Sequence, residues 1–386
     1  MTVKQAMRMQ LIQPFHVMAL LARARELEAA GRSVIHMEIG EPDFVTPQPL
    51  IDAGIKALQD GHTHYTPATG LAALREKIAG FYRTRYGVSV APERIVVTPG
   101  ASAALQLVLA ALIDNGDRVL LSDPGYPCNR NFVHLLNGEP LAIPVGAASG
   151  YQPLPQQVSD NWTGQTRALL VASPSNPTGT LLDEKILRDY HVITDQNGGS
   201  LIVDEIYHGL TYDGPASTAL AVSDDIFVIN SFSKYFGMTG WRLGWLVAPR
   251  EVVPDIDKLA QNLFLAAPTL AQYAALRAFD EDVLAILDER RDEFRARRDY
   301  LLPALREIGF DIPVNPAGAF YLYANCSRFT DDSFAFTSRL LEEAGVAITP
   351  GIDFGTNRPE HHVRFAYTTS LENLQEGVRR LADRLG

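Results

Sequence analysis

The chain has little of what would assign it to several large classes of protein. Its 386 residues include only two cysteines, Cys128 and Cys326, far apart in sequence. A disulfide framework is excluded, and a reducing cytoplasm is the expected location. No apolar run approaches the roughly 18 residues that suggest a membrane span. The opening stretch MTVKQAMRMQLIQPFHVMALLARARELEAAG is interrupted by Gln13, Pro14 and His16 and has no small-residue cleavage pattern, so no secretory signal is expected. Positive charge is also short. Lys and Arg total 34 against 45 Asp and Glu, and the net charge of -11 argues against general affinity for nucleic acid or an anionic membrane. No internal repeat or low-complexity segment is visible.

What is present fits an ordinary globular protein: 46% hydrophobic and 20% charged residues. The length exceeds what one compact core usually holds, so two domains are expected. Short apolar runs recur through the middle of the chain: RIVVT (94–98), DRVLL (117–121), RALLVA (167–172), SLIVD (200–204), IFVIN (226–230) and LGWLVA (243–248). Bounded by Asp, Gly, Pro and Asn and separated by amphipathic stretches, they suit buried strands of a largely parallel sheet in an α/β fold. The loops that follow, TPGAS, SDPGYP, SPSNPTG, DEIYHG and SFSKYFG, lie where ligands of open α/β sheets bind. From Glu281 the character changes. EDVLAILDERRDEFRARRDYLLPALREIG reads as a long helix with a solvated charged face, with apolar positions at Leu284, Leu287, Phe294 and Leu301. It leads into a smaller unit with AFYLYAN, SFAFTSRLLEEAG and HHVRFAYTT. The expected division is 46–280 as a large domain, with 1–45 and 281–386 forming a small domain and an N-terminal arm.

Singly, the polar residues of these loops read as ordinary punctuation. In TPGASAALQLVLAALI a helix starts at Ala101 or Ser102, where free N–H groups suit a phosphate, although Ser102 alone is a plain N-cap. Neither G-x-x-x-x-G-K-[ST] nor G-x-G-x-x-G is present there, so a nucleotide loop is not supported. Asn176 in SPSNPTG sits in turn chemistry. Asp204 follows an apolar strand and is partly desolvated unless something positive meets it, and Tyr207 three residues on can reach the same place. In SFSKYFGMTGWR, Lys234 taken alone reads as a surface charge at a strand end.

Together these residues supply a lysine amine, an acid that wants a cation, phenol and amide donors, and a cradle of Ser and Arg. From GEPDF (40–44) through HYTPATGLAALR, SPSNPTG, DEIY and S-x-S-K-x-x-x-x-x-G-W-R to Arg364, nearly the whole chain resembles the class I and II aminotransferases. These are fold type I enzymes of pyridoxal 5′-phosphate. The resemblance implies a large domain with a mostly parallel seven-stranded sheet, plus a smaller α/β domain. It makes Lys234 the amine that holds the cofactor and then moves the proton at the substrate's Cα. Asp204 would keep the pyridine nitrogen protonated, Asn176 and Tyr207 would bond the ring's 3′-oxygen, and Tyr126 would stack on the ring. Ser102 with the Ala101 N–H, Ser231, Ser233 and Arg242 would hold the phosphate, joined by Tyr65 from a partner subunit of a homodimer. Arg364 would grip the substrate α-carboxylate bidentately, with Gly40 N–H and Asn176 beside it.

The histidines His361, His362, His62 and His64 read as solvated loop residues, and no metal site is expected. An aspartate-specific group of the family carries a lysine in the turn after RIVVT, where Ser102 stands here. With Phe15, His16 and Val17 expected along the side-chain pocket, alanine or apolar amino acids are favoured over aspartate as donors to a 2-oxo acid. The alternatives are an aspartate-type aminotransferase or a C–S β-lyase, since fold and cofactor do not fix the bond broken. A regulator of the kind appended to a basic DNA-binding module is not expected.

Overall fold

The computed structural model describes residues 3–386. Its strands are β1 (Ile35–Met37), β2 (Ile95–Thr98), β3 (Arg118–Asp123), β4 (Glu139–Pro144), β5 (Thr166–Ala172), β6 (Ser200–Asp204), β7 (Phe227–Ser231), β8 (Gly244–Val247), β9 (Tyr321–Asn325), β10 (Val346–Pro350) and β11 (His362–Ala366). Seven of them form one sheet in the order β2-β8-β7-β6-β5-β3-β4. All run parallel except β8, which is antiparallel to both neighbours. Helices cover both faces, so the central strands are apolar without alternation: Leu201, Ile202, Val203, Phe227, Val228 and Ile229 are all buried. Parallel direction also puts the last residues of β2, β5, β6 and β7 at one edge of the sheet. The expected ligand loops leave from that edge.

Strand β4 is one that the apolar runs did not announce. EPLAIP carries two prolines and is largely exposed, which suits only a sheet edge, where an unpaired side tolerates a missing N–H. The other correction at this level concerns the helix Ala101–Leu112. It starts at Ala101 with Gly100 as N-cap, at φ 78°, so Ser102 lies in the first turn and caps nothing. The left-handed turn favours glycine and leaves the helix's first N–H groups facing outward.

The second sheet, β1-β10-β11-β9, joins residues 35–37 to residues 321–366. Its register sets Arg364 opposite Thr349 on one side and Tyr323 on the other. The helix Glu281–Ile308 connects the two layers and buries Leu287, Phe294 and Leu301 as its spacing requires. Its charged face is not all solvated, however. Arg297 and Arg298 are buried, the first paired with Asp43 at 2.9 Å, the second with Asp213 at 2.8 Å and the Pro316 carbonyl at 2.9 Å. A guanidinium survives burial when its donors all find acceptors, which sequence spacing cannot show. No helix among the described residues is long and apolar enough to cross a membrane.

One glycine in the turn after β6 is fixed by a close approach. Gly209 has φ 94°, and a Cβ there would lie 2.3 Å from Tyr235 Cγ. Gly209→Ala is therefore expected to cost about 2–4 kcal/mol, combining left-handed strain with overpacking. Gly198, at φ 65° with nothing within 4 Å, provides the control, and Gly198→Ala should cost only about 1 kcal/mol. Thermal melting of both variants checks this, and equal losses in Tm would show that Tyr235 yields freely.

Candidate active site

Lys234 follows β7 in a tight turn, and its side chain runs back into the protein toward the small sheet. Its Nζ donates to the Gly40 carbonyl at 2.7 Å and lies 5.8 Å from the centre of the Phe320 ring. Burial pushes its pKa down to about 8, with Glu41 opposing and Arg364 and Arg242 reinforcing the shift. A surface lysine has no such environment.

Asp204 ends β6 and is buried. Burial pushes its carboxyl up to about 6, against the Ile206 N–H that its Oδ1 accepts at 3.0 Å and the charge of Lys234. No ion pair joins Asp204 to Lys234, so the carboxylate is left seeking a cation. Burial likewise holds the Tyr207 phenol well above its ordinary value, and its hydroxyl bonds that of Tyr321 at 2.9 Å.

Arg364 comes in from β11. Its Nη1 donates to Asn176 Oδ1 at 2.9 Å, and its Nη2 donates to the Glu38 carbonyl and to Thr349 Oγ1. The guanidinium lies over Tyr321 at 4.2 Å and Phe354 at 5.0 Å, and its buried Nε has no partner among the described residues. An arginine so oriented by neutral acceptors, with no carboxylate paired to it among the described residues, is prepared for an anion. Gly40 is set beside it by necessity: a Cβ would lie 1.9 Å from the Tyr321 hydroxyl.

At the far end of the cleft, Gly100 brings the helix start against Arg242, whose Nη2 lies 2.5 Å from where a Gly100 Cβ would be. Ser231 Oγ donates to Ser233 Oγ at 3.0 Å, and both serines are buried. Backbone N–H groups, two hydroxyls and a guanidinium thus converge there.

Of the residues expected from the sequence to meet the cofactor and the substrate carboxylate, all but one face this single cleft, Tyr126, Ala101 and Ser102 included. The exception is Tyr65, which is 81% exposed and lies outside the cleft of its own chain. The side-chain wall also needs correction. Phe15 and Val17 line the cleft, but His16 turns away and meets Phe334 edge-on with ring centres 5.4 Å apart. Sequence reasoning missed Tyr321, Thr349, Asp353 and Phe354, which also line the cleft. Only the small sheet's register brings Thr349 beside Arg364, and no local motif marks it. Two histidines differ from expectation too. His362 opens β11 and stacks on Tyr323 with centres 4.8 Å apart, and His62 stacks on Tyr273 at 3.9 Å. Among the described residues, no three His, Cys, Asp or Glu side chains cluster as metal ligands would.

The profile of the family "Aminotransferase class I and II" matches residues 32–381. The chain is 40% identical over 374 residues, 96% of either chain, to the (5-formylfuran-3-yl)methyl phosphate transaminase of Methanocaldococcus jannaschii. It is 39% identical over 372 residues, again 96% of either chain, to the valine–pyruvate aminotransferase of Mycobacterium tuberculosis. The solved structure of the aspartate aminotransferase from Thermus thermophilus with maleate superposes with a TM-score of 0.93 at 34% identity, covering 99% of this chain and 100% of that one. The seven-stranded, mostly parallel sheet with its smaller companion is accordingly the fold type I arrangement. The chain belongs to the class I and II aminotransferases, enzymes that depend on pyridoxal phosphate and act on amino acids and 2-oxo acids.

Proposed function

We propose that this enzyme transfers amino groups from small or apolar L-amino acids to a 2-oxo acid by a ping-pong mechanism, with Lys234 as its catalytic base. The observation that carries the reading is a buried amine and a buried carboxylate that do not pair, Lys234 and Asp204, in one cleft with an arginine held only by neutral acceptors among the described residues. The donor set fits pyridoxal phosphate. When bound, it supplies a carbonyl carbon for the amine and a ring that takes up the electron pair left at the substrate's Cα.

In this reading each group has one task. Asp204 holds the proton on the ring nitrogen, the cation its buried carboxylate lacks. Asn176 and Tyr207 bond the ring oxygen, and Tyr126 covers the ring face. The Ala101 N–H, Ser102, Ser231, Ser233 and Arg242 hold the phosphate end. Arg364 and the Gly40 N–H orient the substrate carboxylate, and Lys234 Nζ moves the Cα proton. Residues 46–280 make the cofactor domain, while 1–45 and 281–386 make the small domain that brings Arg364 and the N-terminal arm. The enzyme works in the cytoplasm, where two free cysteines are unremarkable.

Reduction of the holoenzyme with borohydride should fix the cofactor on Lys234, and peptide mapping that finds another lysine would overturn the assignment. Lys234→Ala should retain the fold and lose turnover by several orders of magnitude. Because the amine is nucleophilic only when neutral, cofactor-stripped enzyme should recombine faster as pH rises from 7 through about 8, then level off. A rate that keeps climbing with pH well beyond 8, as for an amine of ordinary pKa 10.5, would mean the amine is not desolvated.

The preference for apolar donors is supported by Ser102 at the step where an aspartate-specific enzyme carries lysine, and by Phe15, Val17 and Leu105 along the cleft. Its cations among the described residues are Lys234, Arg242 and Arg364, all with other tasks. The likeness to a valine–pyruvate aminotransferase points the same way. With pyruvate and 2-oxoglutarate as acceptors, alanine or valine should exceed aspartate in kcat/KM by about tenfold or more. An aspartate preference would reverse this reading. Pyruvate release from cystathionine without added oxo acid would favour a C–S lyase.

The exposure of Tyr65 supports a homodimer with shared sites, in which its phenol reaches the phosphate of the neighbouring subunit. Combining a Tyr65→Ala chain with a Lys234→Ala chain decides the point. Acting in trans, the intact Tyr65 of one chain completes the intact Lys234 of the other, giving one wild-type site per mixed dimer. Activity of the purified mixed dimer no higher than that of the Tyr65→Ala parent, at limiting cofactor, would rule out the shared site.

A further inference from the structure

The helix His16–Ala29 begins without a cap of its own. The residue before it, Phe15, offers no side-chain acceptor, and the first N–H groups of a helix require one. They find it in a segment remote in sequence. Asp353 Oδ1 accepts the His16 N–H at 2.8 Å, and Asp353 Oδ2 accepts the Val17 N–H at 2.9 Å. Asp353 closes the short turn Gly351–Asp353 after β10 and is only 2% exposed. Its negative charge meets the positive end of the helix, where it is favoured. Its own carbonyl accepts Arg130 Nη2 at 2.9 Å, from the helix Pro127–Leu135 that follows β3. One residue thus ties the N-terminal segment, the small sheet and the large sheet's layer together.

The tie lies at the substrate end of the cleft. Phe15, Val17, Asp353 and Phe354 line it together. Phe15 and Val17 belong to a segment whose only side-chain anchor for its first N–H groups, among the described residues, is this carboxylate. With both carboxylate oxygens occupied by N–H groups, an apolar side chain meets no unsatisfied acceptor there. An acidic side chain meets the like charge of this fixed carboxylate.

We propose that Asp353 is a positioning and specificity-determining residue. It clamps the Phe15–Val17 wall against the cleft, and its charge turns away acidic side chains. The inference rests on the aminotransferase reading of the site and adds the residue that sets side-chain selection.

The test uses holoenzyme carrying Asp353→Ala or Asp353→Asn, with cofactor absorbance to show that the site is loaded. Amide hydrogen exchange follows the peptide beginning at Phe15, and steady-state kinetics follow valine and aspartate. Asp353→Ala loses both acceptors, so exchange at the His16 and Val17 amides should quicken by about tenfold or more, and KM for valine should rise about tenfold, by more than kcat falls. Asp353→Asn keeps one acceptor oxygen and loses the charge. It should restore part of the protection while raising kcat/KM for aspartate relative to valine by about tenfold. Wild-type exchange in Asp353→Ala overturns the clamp, and an unchanged aspartate-to-valine ratio in Asp353→Asn overturns the exclusion. If Asp353→Ala does not fold, exchange in Asp353→Asn decides the clamp, since losing one of two acceptors must still quicken it. A wild-type preference for aspartate would sink the apolar reading and the exclusion together, whereas the clamp stands or falls on exchange alone.

Discussion

An amine and a carboxylate buried in one cleft without touching each other are the constraint around which this structure is arranged. Lys234 is pushed down to about 8 and Asp204 up to about 6, each toward its neutral form and each chiefly by burial. The sign of the cost differs between them. The raised carboxyl contributes stability that is present below its ordinary pKa of 3.8 and lost as pH rises through about 6. The lowered amine contributes stability that is present above its ordinary 10.5 and lost as pH falls through about 8. Near neutrality both groups therefore stand on the costly side. In the proposed function, a cofactor with a protonated ring nitrogen for Asp204 and a carbonyl carbon for Lys234 would offset both costs at once. Strain of this kind is stored where chemistry is done.

The fold supplies the means of holding two such groups in place. Parallel strands deliver Asp204 and the Lys234 turn to the same edge from neighbouring positions in the sheet, because β6 and β7 pair in parallel. Backbone fills the remaining space where side chains cannot. Gly40 lets the chain pass the Tyr321 hydroxyl, and Gly100 lets a helix start pass the Arg242 guanidinium. The small sheet adds Arg364, held by Asn176 from the large sheet's loop and by Thr349 from its own. Arginine thus bridges the two layers as well as facing the cleft.

Much of this was legible in the sequence because the cofactor's needs are local to loops that follow strong strands. SLIVD, IFVIN and SPSNPTG mark their own places. What was not legible depends on contacts distant along the chain. β1 pairs with β10, Ile35 opposite Val346, and neither run is long enough to declare itself. The edge strand β4 has prolines where a strand pattern wants alternation. Arg297 and Arg298 read as solvated because their acceptors, Asp43 and Asp213, lie in other segments. Ser102 looked like a cap because Ser caps helices, yet Gly100 with its positive φ already ends the turn. Tyr65 could be named only by family likeness, since nothing among the described residues of its own chain receives its phenol.

The same division separates what the family shares from what distinguishes one member. Residues that meet the cofactor and the α-carboxylate sit in motifs, because every substrate presents those parts alike. The residues proposed to meet the substrate's side chain, Phe15, Val17, Asp353 and Phe354, come from segments with no motif of their own, joined through two backbone N–H groups and one carboxylate. A change there leaves the phosphate cradle and the ring partners untouched. Specificity can therefore drift across relatives that keep the same cleft, as the differing substrates named for proteins 34–40% identical to this chain suggest. With Asp353 in the proposed role, selection of the amino acid becomes a property of how the N-terminal segment is held.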